Sequence, residues 1–337
     1  MKKYNVAILG IRGAVGQCMY RIVKERKFPV NKLILISPSG AGGQLDGHRY
    51  VPLTKDVFNG VDIVLSSPGA EISKIWAPIA AKAGAVVIDN TSQFRMDPDV
   101  PLVVPEVNPE DIKKHKGIIA NPNCSTIQMV VALNPIHKKV GIKRIIVTTL
   151  QASSGAGKGA VEQLKEETNL IAQGGFDNIH VSAVNKTMPQ QLAYNCFPHI
   201  GSFVQGDYTN EEWKLVHETH KIMHAPKIRI SATTVRVPVR TGHSESIYIQ
   251  TVKPITVAEL KKLLAKAPGV MLIDEPKNNL YPMPKDAEGR DETFVGRIRQ
   301  DAFDKKGFWL WVVADNLRKG AATNAVQIAE CVISSLE

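Results

Sequence analysis

A strand that runs directly into a glycine turn and then a helix is the most restrictive pattern in this chain, and it stands at the start. Tyr4-Asn5-Val6-Ala7-Ile8-Leu9 is an apolar run of strand length, Gly10, Gly13 and Gly16 follow at three-residue intervals, and a helical pattern occupies 14–26. That order predicts the opening βαβ unit of a doubly wound sheet. Further apolar runs at 33–36, 62–66, 85–89 and 117–120, with a helical stretch at 72–83, continue the alternation. Parallel neighbours need crossover connections, so this part is expected to be Rossmann-like, with a parallel sheet.

After Cys124 the texture changes: amphipathic helices are predicted at 125–138 and 156–173, and β-rich segments at 142–150 and 228–252. This less regular mixture predicts an α+β domain with a mixed or antiparallel sheet. The 337 residues suffice for two such domains. The expected boundaries are 1–123, completed by a C-terminal helix within 320–337, and 124–319.

Composition narrows the class. No apolar run approaches the ~18 residues of a membrane span, and Met1-Lys2-Lys3-Tyr4-Asn5 leads into the first strand without a signal-peptide pattern. A cytoplasmic protein without membrane contact is expected. Cys18, Cys124, Cys196 and Cys331 lie far apart with no Cys-x-x-Cys pair, so free thiols are expected, with no zinc site. The formal charge is +10, but the basic residues are spread along the chain without interleaved aromatics. This speaks against nucleic acid, and most of the charge is expected to be a solvated basic surface, with a few basic residues reserved for phosphate.

Gly10, Arg12, Gly13, Ala14, Val15 and Gly16 give the spacing G-x-x-G-x-x-G. Small residues there let backbone amides at a helix N-terminus approach a pyrophosphate, so a dinucleotide is expected. Sites selective for NAD usually end the second strand in a carboxylate; here that strand ends Ile36-Ser37-Pro38-Ser39-Gly40. With Arg12 nearby, Ser37 and Ser39 suit a 2′-phosphate, which favours NADP(H).

Cys124 lies in Asn121-Pro122-Asn123-Cys124-Ser125-Thr126, between a strand end and a helical pattern. A thiol at a helix N-terminus is favoured as the thiolate, the form that attacks a carbonyl. A small buried core residue is the usual alternative for a free cysteine.

In several ordered motifs the chain resembles the aspartate-β-semialdehyde dehydrogenase family over nearly its whole length. They are the glycine turn, Phe94-Arg95-Met96-Asp97 continuing into Val103-Val104-Pro105-Glu106-Val107-Asn108, the cysteine segment, the stretch from Gln151 to Gly157, Arg236-Val237-Pro238-Val239 with Gly242-His243-Ser244-Glu245, and Ala314-Asp315-Asn316-Leu317-Arg318-Lys319-Gly320-Ala321. The resemblance implies Cys124 as nucleophile, His243 as acid/base and Gln151 as the residue orienting the reacting carbonyl. It further implies Arg236 as the clamp on the substrate α-carboxylate, Glu218 on its ammonium, Arg95 and Lys221 on phosphate, and Asn123 at the substrate. Ser154, Gly155 and Asn316 would join the glycine turn in holding the cofactor. Ile11-Arg12 departs from the commonest family turn, which affects only the expected phosphate contacts.

The activity so implied is reversible NADPH-dependent reduction of L-aspartyl 4-phosphate to L-aspartate 4-semialdehyde and phosphate, through a cysteine thioester and without a metal. It serves the biosynthesis of lysine, by way of diaminopimelate, and of threonine, methionine and isoleucine. The second domain would be catalytic and would build a homodimer, or that dimer doubled to a tetramer. Three other readings stand beside it: an N-acetyl-γ-glutamyl-phosphate reductase, a CoA-thioester reductase on the same scaffold, and a catalytically silent binding protein.

Overall fold

The computed structural model describes residues 2–174 and 187–335, so the last two positions of the expected C-terminal helix lie outside the described residues. The chain divides into two compact units. One comprises Met1–Ile127, Lys221–Met223 and Arg318–Glu337, the other Gln128–His220 and His224–Leu317.

The first unit is built on β1 (Tyr4–Leu9), β2 (Val30–Ser37), β3 (Gln44–Leu45), β4 (His48–Pro52), β5 (Ile63–Ser66), β6 (Val86–Asp89) and β7 (Ile118–Ala120), in the order β3-β4-β2-β1-β5-β6-β7. Two-residue β3 pairs antiparallel with β4, and the other pairs are parallel. Helix α1 (Ala14–Glu25) joins β1 to β2, and α2 (Ala70–Lys82) joins β5 to β6. The chain moves outward from β1 and then returns to its other side at β5, so a switch point lies between the C-terminal ends of these strands. In open α/β sheets that is where ligands bind.

The glycine turn lies at this point for a steric reason. Gly10 has φ +91°, and a Cβ there would come within 2.6 Å of the Ser67 carbonyl oxygen, just beyond β5. A Cβ on Gly16 would strike the Gly10 carbonyl. The helix can therefore start close against the strand end. Below it, Ala7, Leu9, Ile36, Phe58, Val64 and Val87 form the core, which is why β1 reads as a continuous apolar run.

A π-turn at Arg318–Ala322 leads into the last helix, α8 (Thr323–Ser334), which also belongs to this unit. The wholly buried Lys319 donates to both carboxylate oxygens of Glu106 at 2.8 and 2.7 Å, to Asn324 at 3.1 Å and to Gln327 at 2.7 Å. Burial opposes the charge on Glu106, but Lys319 more than offsets it and holds the carboxyl below its ordinary pKa. The pair's stabilisation is thus present at neutral pH and is lost as pH falls through the carboxylate range. Lys319→Met leaves Glu106 buried without its cation and should cost roughly 3–5 kcal/mol in urea unfolding at pH 7.

The second unit contains a mixed six-stranded sheet, as the sequence pattern predicts: β8 (Ile142–Gln151), β9 (Arg229–Arg236), β10 (His243–Thr251), β11 (Val270–Leu272), β12 (Thr293–Gln300) and β13 (Gly307–Ala314), in the order β11-β12-β13-β10-β8-β9. Its helices are α3 (Cys124–Val140), which starts in the first unit, then α4 (Lys158–Gly174), α5 (Asn210–Ile222), α6 (Val257–Leu264) and the one-turn α7 (Pro284–Ala287). The β-rich segment 228–252 resolves into two strands separated by 237–242, and Gly242 takes φ +95° just before β10. Along β10, His243, Glu245, Ile247 and Ile249 are buried on one face, while Ser246, Tyr248 and Gln250 are partly exposed on the other. Among the described residues no helix is long and apolar enough to cross a membrane.

Candidate active site

Sheet register gathers four of the expected residues of the second unit at one end of its sheet. Gln151 closes β8 opposite Arg236, which closes parallel β9. His243 opens β10 opposite Ala314, the last residue of β13, and Asn316 follows two residues later. Residues as far apart as Gln151 and Asn316 thus reach one place because strand ends coincide.

Side-chain contacts make the cluster tighter. The main chain of Ala152 serves both neighbours: its N–H donates to His243 Nδ1 at 3.0 Å, and its carbonyl accepts from Arg236 Nη1 at 2.6 Å. Gly155 lies against the same pair. A Cβ there would come within 3.1 Å of His243 Cε1 and Nε2 and 3.4 Å of Arg236 Nη1, so a larger residue would require the ring to give by a few tenths of an ångström. Asn316 Oδ1 accepts from Gly242 N–H at 2.9 Å, and its amide exchanges hydrogen bonds with Ser154 Oγ at 3.0 and 3.1 Å. Gln151 Nε2 donates to Glu211 Oε1 at 3.3 Å and Thr149 Oγ1 at 3.4 Å. Glu218 is buried on α5.

These contacts fix the protonation of His243. A main-chain N–H can only donate, so Nδ1 is the unprotonated nitrogen and the neutral ring carries its proton on Nε2. Nε2 is buried with no hydrogen-bond partner among the described residues. Burial first, and then the Arg236 charge, push the imidazole down to about 3, with Glu211 acting in the opposite direction. The resemblance implies an acid/base at His243, and the geometry presents an N–H donor at Nε2.

In the first unit, Cys124 is the first residue of α3 and is half-buried. Asn123 is the helix cap: its Oδ1 accepts from the N–H groups of Ser125 at 3.0 Å and Thr126 at 3.3 Å. The Oδ1 of Asn123, expected by resemblance at the substrate, is thus engaged with the helix, and the cap holds the thiol at the positive end of the dipole. Arg95 is anchored on the carbonyls of Asn121 and Asn90, both at 2.9 Å. Lys221 directs its ammonium at the carbonyls of Arg95, Asp97 and Val100 at 2.8, 2.6 and 2.8 Å. Three donors on three carbonyls make Lys221 a clamp on the segment carrying Arg95, a different engagement from the expected phosphate contact.

At the dinucleotide turn, Arg12 Nε donates to Ser37 Oγ at 2.8 Å, Ser37 and Ser39 hydroxyls lie 3.1 Å apart, and Arg12 Nη2 reaches the Gly42 carbonyl. The guanidinium also faces the Tyr50 ring at 5.3 Å. A cation and two hydroxyls therefore stand together at the end of β2.

Comparisons with known proteins follow this geometry. Residues 5–115 match the model of the semialdehyde dehydrogenase NAD-binding domain, and residues 133–319 match that of the semialdehyde dehydrogenase dimerisation domain. The aspartate-semialdehyde dehydrogenase of Aquifex aeolicus is 54% identical, with 98% of each chain covered. The chain belongs to the aspartate-semialdehyde dehydrogenase family. Among solved structures, aspartate-semialdehyde dehydrogenase II of Vibrio cholerae complexed with ASA is 46% identical, covers 99% of each chain and has a TM-score of 0.93. The Candida albicans enzyme with NADP is 25% identical, covers 98% of each chain and has a TM-score of 0.72.

Within this family member, one buried carboxylate beside the expected residues carries no sequence signal of its own. Glu211, at the start of α5, meets Gln151 and also Lys214 at 2.9 Å. Glu211-Glu212 reads in the sequence as an ordinary acidic first turn of a helix, and only the tertiary fold turns Glu211 inward.

Proposed function

We propose that this chain catalyses the reversible, phosphate-dependent oxidation of L-aspartate 4-semialdehyde to L-aspartyl 4-phosphate with NADP, by way of a thioester on Cys124. The observation that carries this reading is the convergence of an Arg236 guanidinium, a neutral His243 N–H donor and Gln151 at one sheet end, in a family whose Vibrio cholerae member is solved with ASA.

The glycine turn, α1 and the Arg12, Ser37 and Ser39 cluster would hold NADP, and the groups present fit it. Gly10 and Gly16 allow the close packing described above, and the cation and hydroxyls at the end of β2 are groups that suit a 2′-phosphate. Ser154 and Asn316 would complete the site at the nicotinamide end. When bound, the cofactor supplies a hydride acceptor in this direction and a hydride donor in the other.

Arg236 binds the substrate α-carboxylate, for which a guanidinium offers two parallel hydrogen bonds, and Glu218 faces the ammonium. Cys124, reacting as thiolate with its proton released to solvent, adds to the aldehyde carbon and places negative charge on the oxygen. The His243 Nε2–H donates to that oxyanion without becoming an imidazolium, a form that the Ala152 N–H disfavours. Loss of hydride from the thiohemiacetal gives the thioester. Phosphate, bound by Arg95 with its segment held by Lys221, then attacks the acyl carbon and expels the thiolate. In the cell the reverse direction would feed lysine, threonine, methionine and isoleucine synthesis in the cytoplasm, from a homodimer built on the second unit or that dimer doubled to a tetramer.

NADP reduction with L-aspartate 4-semialdehyde should require phosphate, and activity independent of phosphate would instead favour a CoA-thioester chemistry. Arg12→Ala should raise the KM for NADP about tenfold or more while leaving that for NAD nearly unchanged, because one charged hydrogen-bond donor to the 2′-phosphate is lost. Equal effects on both cofactors would remove Arg12 from the 2′-phosphate site.

A further inference from the structure

Glu245 is a fully buried carboxyl that the proposed reaction does not use. It lies two residues beyond His243 on β10, on the same buried face. Neither of its oxygens has a hydrogen-bond partner among the described residues. Its neighbour Gln128 is also fully buried, and Gln128 Oε1 likewise lacks a partner. The other end of that amide is fixed: Nε2 donates to the main-chain carbonyl of His243 at 3.4 Å. Turning the amide over would set Oε1 against that carbonyl, two acceptors facing each other, so Oε1 must find its donor elsewhere.

An ionised carboxylate cannot supply that donor, and a buried carboxylate with no cation and no hydrogen bond carries a large desolvation cost. One proton resolves both difficulties. A carboxylic acid at Glu245 can donate to Gln128 Oε1, satisfying two otherwise unsatisfied groups with a single bond. Burial acts on Glu245 in this direction, raising its pKa well above the ordinary carboxyl value and outweighing the neighbouring Gln128 amide, which acts to lower it.

We propose that Glu245 is held as a neutral carboxylic acid and is a positioning residue, which through Gln128 fixes helix α3 on the His243 end of strand β10. Gln128 lies one turn after Cys124 on α3, so the chain Glu245–Gln128–His243 carbonyl links the thiol's helix to the donor's strand. The protonation state stands independently of the proposed reaction; only the expected effect on turnover rests on that reading.

Two measurements test it. Infrared difference spectra of the wild-type protein against Glu245→Gln should contain the carbonyl stretch of a protonated carboxyl that persists from pH 6 to pH 9. Absence of that band, or its loss across this range, would overturn the proposal whatever the kinetics. In turnover, Glu245→Gln keeps an N–H donor for Gln128 and should retain kcat within about threefold, whereas Glu245→Leu fills the volume without a donor and should lower kcat about tenfold or more, with KM little changed. Rescue by Gln but not by Leu distinguishes the hydrogen bond from simple packing. Equal loss in both variants, or full activity in Leu, would overturn the positioning role. Should the Leu variant fail to fold, the infrared band and the Gln variant still decide. If the proposed reaction itself is wrong, the band remains while neither substitution affects phosphate-dependent turnover, since there is none.

Discussion

Cys124→Ala is expected to lower phosphate-dependent turnover by at least about 10⁴-fold, because removal of a covalent nucleophile leaves only binding and oxyanion contacts to accelerate the reaction. NADP binding, followed by fluorescence titration, should change by less than about twofold, since the glycine turn and the Arg12 cluster lie on β1, α1 and β2. Alanine is also a good residue for the first turn of a helix, and the Asn123 cap remains, so the melting temperature should hold. Turnover within tenfold of the parent would remove Cys124 from the chemistry. Loss of NADP binding together with turnover would instead point to a structural thiol.

His243→Asn should lower kcat by roughly 10²–10⁴-fold with a smaller effect on KM, since in the proposed mechanism it removes the donor to the oxyanion and leaves the Arg236 clamp on the carboxylate in place. The native ring makes a second, spectroscopic prediction. Nitrogen NMR should find His243 neutral, with its proton on Nε2, between pH 5 and pH 8. Stability follows with a defined sign: the folded pKa of about 3 lies below the ordinary value of 6.5. Between those values the unfolded chain binds the proton that the folded chain excludes, so this contribution is present above pH 6.5 and declines as pH falls toward 3. The His243→Asn variant would lack that acid-side loss. A ring that becomes an imidazolium near pH 6, or carries its neutral proton on Nδ1, would contradict the donor role.

Both predictions concern residues that the sequence singles out, and the reason is local. Gly10 and Gly16 declare a turn because glycine alone allows that packing, and Cys124 declares itself by standing where an apolar strand run gives way to a helical one. Fold class is legible for the same cause, since alternation of strand and helix periods fixes a parallel sheet in the first unit and its loss announces a mixed one in the second. Arg236 and His243 are legible as residues but not as neighbours. Their meeting depends on β8 and β9 ending where β10 begins, and strand register is a long-range property.

What the sequence does not disclose is how each polar group is engaged. Asn123 reads as a substrate contact by resemblance, yet its Oδ1 caps α3. Lys221 reads as a phosphate ligand, yet its ammonium faces three carbonyls of the segment carrying Arg95. Glu211 and Glu245 look like ordinary charged positions, one in an acidic helix start and one in an alternating strand. Lys319 looks like a plain helix residue and proves to be the centre of a buried ion pair. In most of these cases burial and partner are set by chain segments far away in sequence, beyond any local pattern.

The most direct test of the central claim is a single-turnover experiment without phosphate. Mixing the protein with NADP and L-aspartate 4-semialdehyde should give a burst of about one NADPH per reactive thiol, with mass spectrometry locating an acyl adduct on Cys124 that added phosphate discharges as the acyl phosphate. A burst absent under these conditions, an adduct on another residue, or sustained turnover without phosphate would contradict it.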